Sequence, residues 1–122
     1  MSTTYSSDAD ILAVEPSAAS YLPSGETTFD RLREQVYADI NRRVAASGWL
    51  YRSDASPAEA KHAEVCGVLA ALYREAASRT SENGTFWALF CHWQANYHNA
   101  VRALHDGNGQ PVAFLGTRVI RG

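Results

Sequence analysis

A chain of 122 residues supports one hydrophobic core but not two, so a single domain is expected. With 46% hydrophobic and 20% charged residues it has the composition of an ordinary globular protein. Its net charge of −2 argues against broad affinity for nucleic-acid phosphates, which usually goes with a basic surface. The N-terminus lacks the basic and apolar regions of a secretory signal. No apolar run approaches the roughly 18 residues of a membrane span, so no membrane association is expected. Two cysteines, Cys66 and Cys91, form no disulfide framework. They suit a reducing compartment, where such residues behave as small buried hydrophobes.

The first predicted element is a short helix in "SDADILAVE", with Ser7 and Asp10 at capping-box spacing and Pro16 as its stop. "PSAASYLPSGE" carries two prolines and a glycine and reads as a connecting loop. A long helix then opens at Thr27 and Asp30, again at capping-box spacing, and runs to Gly48. Phe29, Leu32, Val36, Ile40 and Val44 form its apolar stripe, with Arg31, Glu34 and Arg42 opposite and Arg43 near the stripe.

"WLYRSDA" is an irregular link. "SPAE" starts the next helix, with Ser56 as cap, Pro57 in the first turn and Glu59 closing the box. Its stripe is Val65, Leu69, Leu72, Tyr73 and Ala76. Gly84 breaks the pattern before a fourth helix ending near Leu104. "HDGNGQPVAFLGTRVIRG" then reads as a turn followed by an extended or short-strand tail. The expected fold is mainly all-α. It is an antiparallel helical bundle of three long helices plus a short N-terminal helix, in one domain over residues 1–122. Residues 1–27 form the arm and short helix, 28–104 the bundle and 105–122 the tail.

The fourth helix concentrates chemistry-bearing residues, yet at 100° per residue they separate. Phe86, Leu89, Phe90, Trp93, Tyr97, Val101 and Leu104 share one face, while Trp87, Cys91 and His98 lie on its flank. Cys91 and His98 are seven positions apart, about 10 Å along the axis and too far for one ion. His62 and Cys66 share a face at i and i+4, but their spacing fits no zinc-finger or ribbon pattern. No nucleophile elbow or phosphate-cradling glycine motif occurs. "DGNGQP" lacks the glycine and the closing glutamate of a calcium loop. No catalytic residue, metal or cofactor is therefore expected. Asp8 and Asp10 are read as helix N-terminal carboxylates.

Two segments have the composition of contact surfaces. Arg42, Arg43 and Arg52 flank Trp49, Leu50 and Tyr51, the mixture found at interface hot spots, and these six are the candidate subunit interface. The tail has no acidic residue from Gly107 onward. It presents Val112, Phe114, Leu115, Val119 and Ile120 beside Arg118 and Arg121, either for its own bundle or for a partner.

In their order, "YSSDADILAVEP", "FDRLREQVYADINRRVAASG", "SPAEAKHAEVCGVLAALYREAAS" and "WALFCHWQANYHNAVRALHDGNG", with "YLPSG" as the loop after the first, resemble the head–tail connector proteins of tailed bacteriophages. These are also called adaptor or head-completion proteins. The resemblance covers nearly the whole chain by size, order and texture. It implies a virion protein, made in the host cytoplasm, that forms a ring, typically of twelve copies, on the portal vertex. Such a ring prolongs the DNA channel without binding DNA specifically and presents a surface to the next stopper or tail-completion protein. The resemblance also implies that the C-terminal segment meets the portal protein. The alternative reading is a small α-helical DNA-binding or regulatory protein whose Arg42, Arg43 and Arg52 meet phosphates.

Overall fold

The computed structural model describes residues 4–46, 57–79 and 84–106, which are mainly helical, with no strand among them. The tail from residue 107, expected to be extended or a short strand, lies outside the described residues. So do the 47–56 link and the Ser56 cap.

Helix α1 spans Asp8–Val14 and starts as its sequence predicts. The Asp10 backbone N–H donates to Ser7 Oγ, and the Asp10 carboxylate accepts from the Ser7 N–H at 2.9 Å. This reciprocal cap satisfies donors that a helix start leaves open. Ile11 is the fully buried anchor of the helix.

The segment read as a loop contains a 3-10 turn, Ala18–Tyr21. Tertiary contact orders it. The Tyr21 ring lies 5.7 Å from Tyr73 and 5.2 Å from Phe86, and its carbonyl accepts from the Arg79 guanidinium at 2.6 Å. Gly25, at φ +92°, then turns the chain, and the Glu26 N–H closes back on the Pro23 carbonyl at 3.0 Å. Glycine occupies this left-handed position without penalty.

Helix α2 spans Asp30–Ala46 and begins later than a Thr27 cap would place it. Thr28 Oγ1 accepts from the Asp30 N–H at 3.4 Å, and Asp8 of α1 accepts the Phe29 N–H at 3.3 Å. A carboxylate from another element thus serves this terminus, which local spacing does not reveal. Phe29, Leu32, Val36 and Ile40 are buried, as their stripe predicts.

Helices α3, Pro57–Arg79, and α4, Gly84–Asp106, pack most extensively on each other, and α2 packs on α3 more than on α4. Helix α3 is central. Every residue from Ala63 to Ala70 is buried, well beyond the expected stripe. A helix buried all round needs neighbours on several sides, and α1, α2, α4 and the 3-10 turn supply them.

Close approach depends on Gly67. A Cβ there would lie 2.5 Å from Val36 Cγ1 and 2.8 Å from Tyr97 Cε1, so only glycine admits both neighbours. On α4, Tyr97, Val101 and Leu104 are buried, whereas Phe86, Leu89, Phe90 and Trp93 are partly buried against the same core. The aromatic face is as read from the sequence, but its first half is less enclosed. Helix α4 also runs past Leu104 to Asp106. None of the described helices is long and apolar enough to cross a membrane.

Candidate docking groove

Among the described residues, α2, α3 and α4 border an open groove of about 620 Å³ beside Gly67. Ala70 and Ala71 of α3 lie at its base as small residues, beside Gly67, over which Val36 and Tyr97 close. Val36 of α2 and Phe90 and Tyr97 of α4 add apolar walls, while Gln35, Gln94 and His98 stand on the polar rim. The volume lies in the range of ligand-sized clefts, and the groove is open along its length rather than enclosed.

One side of the rim is built on a shared carboxylate, Asp39. Tyr97 Oη donates to Asp39 Oδ2 at 2.6 Å, and Arg43 Nε donates to the same oxygen at 2.6 Å. Partial burial pushes the Asp39 carboxyl up, but the hydrogen bonds from Tyr97 and Arg43 outweigh it and hold Asp39 below the usual carboxylate range. Burial, then the Asp39 contact, pushes the Tyr97 phenol well up. The Arg43 guanidinium lies 5.7 Å from the Tyr97 ring centre, and that of Arg74 lies 5.9 Å from Phe90. Two cations from different helices therefore sit over aromatic rings of α4. Trp87, 53% exposed, extends the aromatic surface, with its ring 5.1 Å from Phe90.

The opposite flank of the α2–α3 pair is closed. Residues 4–7, which precede α1, lie across it as a non-helical strap. Glu64 of α3, fully buried, accepts the Tyr5 N–H at 3.1 Å and the Ser6 N–H at 2.8 Å, and also the Ser6 hydroxyl. Arg33 of α2 donates to Thr4 Oγ1 and to the Ser6 carbonyl, both at 2.7 Å, and pairs with Asp8 at 3.2 Å. The Tyr5 ring packs 4.8 Å from Tyr37, and its hydroxyl donates to Asn41 at 2.8 Å. Asp8 therefore does more than favour a helix dipole, because it ties α1 to the start of α2.

Of the residues singled out from sequence, Arg42 and Arg43 are described, and both pair with Asp39. Arg43 lines the groove, while the Arg42 side chain is 71% exposed. Trp49, Leu50, Tyr51 and Arg52 lie outside the described residues. So do Val112, Phe114, Leu115, Arg118, Val119, Ile120 and Arg121. Arg31, expected on the free face of α2, instead bridges Glu26 at 2.7 Å and Glu75 of α3 at 2.9 Å.

Cys91 is exposed, against its reading as a buried hydrophobe, because its flank of α4 turns away from α3. Cys66 is buried, and burial pushes its thiol up to about 11. Its Sγ lies 3.7 Å from His62 Nε2. Among the described residues no three His, Cys, Asp or Glu side chains come together to hold a metal ion.

Glu64 and Gly67 escaped the sequence reading altogether. A glutamate or a glycine within a helix carries no local mark of the segments that will cross it. Compared with known proteins, the chain matches no protein-family model, no curated protein and no solved structure.

Proposed function

We propose that this chain is a non-enzymatic structural protein, a head–tail connector of a tailed bacteriophage. In this reading copies of the chain form a ring, typically of twelve, on the portal protein. The ring extends the DNA channel and offers a surface to a stopper or tail-completion protein. The protein is then part of the virion, assembled in the host cytoplasm, and DNA slides past it without specific contacts, consistent with a net charge of −2.

The scaffold of the reading is one domain over residues 1–122, in which α2, α3 and α4 form an antiparallel bundle. Three contacts support that arrangement: the start of α4 meets the end of α3 at Phe86 and Tyr73, Arg31 early in α2 meets Glu75 late in α3, and Ala58 and Ala103 line one shallow pocket. The tail is an extended or short-strand segment that meets the portal through Val112, Phe114, Leu115, Arg118, Val119, Ile120 and Arg121. Trp49, Leu50, Tyr51 and Arg52, with Arg42 and Arg43, meet the neighbouring copy.

The observation that carries the assembly reading is the open groove bordered by three helices and continued by exposed Trp87. An aromatic surface left open among the described residues of a small helical protein is suited to contact rather than chemistry. The alternative, a DNA-binding or regulatory protein, has weaker support, because Arg42 and Arg43 are both engaged by Asp39.

Mixing the purified chain with portal oligomers of the same genome tests the proposal by sedimentation and microscopy. A stoichiometric ring on the portal is expected. No association at any salt concentration would overturn it.

A further inference from the structure

We propose that the groove between α2, α3 and α4 seats this chain's own C-terminal segment, Pro111–Ile120, as an extended strap docked within the same copy. The molecule already uses this device once. On the other flank of α2–α3, residues 4–7 run as a non-helical strap whose Tyr5 and Ser6 N–H groups are taken by a helix side chain, Glu64. The groove offers the matching elements: small residues at its base, Ala70 and Ala71, and a carboxamide on each rim, Gln35 and Gln94. Backbone groups brought out of water need such partners.

Reach and reversal both favour the same copy. Helix α4 ends at Asp106, and at 1.5 Å per residue the groove residues His98 and Phe90 lie about 12 and about 24 Å back along its axis. Gly107 and Gly109 supply turn residues directly after the helix. From Pro111 to Ile120 an extended chain covers about 33 Å, enough to run the length of the groove.

Val112 and Phe114 fall on one side of an extended chain, and they are the apolar pair that meets the small-residue floor and Phe90. Docking in the same copy does not depend on the connector reading. Its consequence does: a seated tail must leave the groove to meet a portal, so the portal would act by exchange.

The full-length chain allows a direct test. Cys91 is exposed, adjoins Phe90 and stands one turn from Gln94, whereas Cys66 is buried. A nitroxide therefore attaches at Cys91 alone. The expected result is loss of the amide NMR signals of residues 112–120, restored when the nitroxide is reduced. In a mixture of spin-labelled copies without isotope and isotope-labelled copies without nitroxide, those signals should persist.

Signals that persist in the doubly labelled copy overturn the proposal. Loss in the mixture also overturns it and assigns the groove to a second copy. Val112→Asp and Phe114→Asp lie outside the helices and should restore the signals; loss unchanged by both variants overturns apolar docking. No portal is present, so this outcome and that of the portal experiment are read separately.

Discussion

The two flanks of the α2–α3 pair are finished in opposite ways. On one, the strap of residues 4–7 is clasped by Glu64 and Arg33, and its Tyr5 and Ser6 backbone donors are satisfied. On the other, α2, α3 and α4 border the groove left open among the described residues, with Tyr97 and Arg43 both held on Asp39 at its rim. A flank closed by buried hydrogen bonds contributes to stability. One left open among the described residues contributes surface. Substitutions should therefore act on folding at the strap and on contact at the groove.

Glu64→Ala should have the largest effect. It strips the acceptor from two backbone N–H groups at a buried site, and each unsatisfied donor costs about 1–3 kcal/mol unless the strap lifts into water. Urea denaturation should show a loss of about 2–4 kcal/mol, and amide exchange at Tyr5 and Ser6 should become fast. Unchanged protection of these two amides would mean that Arg33, with the Tyr5 contacts to Tyr37 and Asn41, holds the strap without Glu64. Gln35→Ala, on the exposed rim of the groove, should stay within about 0.5 kcal/mol, and that contrast is the comparison in its sharpest form.

The difference between the flanks also marks how far the sequence could be read. The Ser7–Asp10 cap and the Phe29–Ile40 stripe were legible because each depends on residues three or four apart. The aromatic face of α4 was legible for the same reason. Glu64 was not, because its partners Tyr5 and Ser6 are far away in the chain. The groove was not, because its base consists of alanines, which look alike under a neighbour and in open space. The exposure of Cys91 depends on where α4 rests on α3, which its own helical period leaves undetermined.

Gly67→Ala tests the point where the two flanks converge. The new Cβ would meet Val36 and Tyr97 inside contact distance, and overpacking of this kind costs about 1–3 kcal/mol. Pairing it with Val36→Ala makes room on one side. The double variant should be more stable than the sum of the two separate losses. Additive losses would place the strain elsewhere.

Tyr97→Phe should cost about 1 kcal/mol through the lost hydrogen bond to Asp39, and its pH dependence is more diagnostic. Asp39 is held below its unfolded pKa, so its contribution is complete above the usual carboxylate range. That contribution is lost as pH falls through the folded value. Removing the Tyr97 hydroxyl brings the two values closer together, so the variant should lose less stability than the parent between neutral pH and about pH 3. A parallel acid profile would show that Arg42 and Arg43 hold Asp39 without the Tyr97 hydroxyl.

The smallest effect on folding is expected at Arg42, and it bears most directly on assembly. Arg42 and Arg43 share Asp39, but the Arg42 side chain is 71% exposed, and such surface pairs contribute at most about 1 kcal/mol. Arg43 also lies over Tyr97, so Arg43→Ala should cost somewhat more in thermal denaturation, whereas Arg42→Ala should be nearly neutral. A nearly neutral Arg42→Ala chain that fails to form rings on the portal would assign Arg42 to the subunit contact, since its folding would be intact. If the same chain assembles as well as the parent, Arg42 is a solvated cation, and the contact must come from the groove and the segments beyond the described helices.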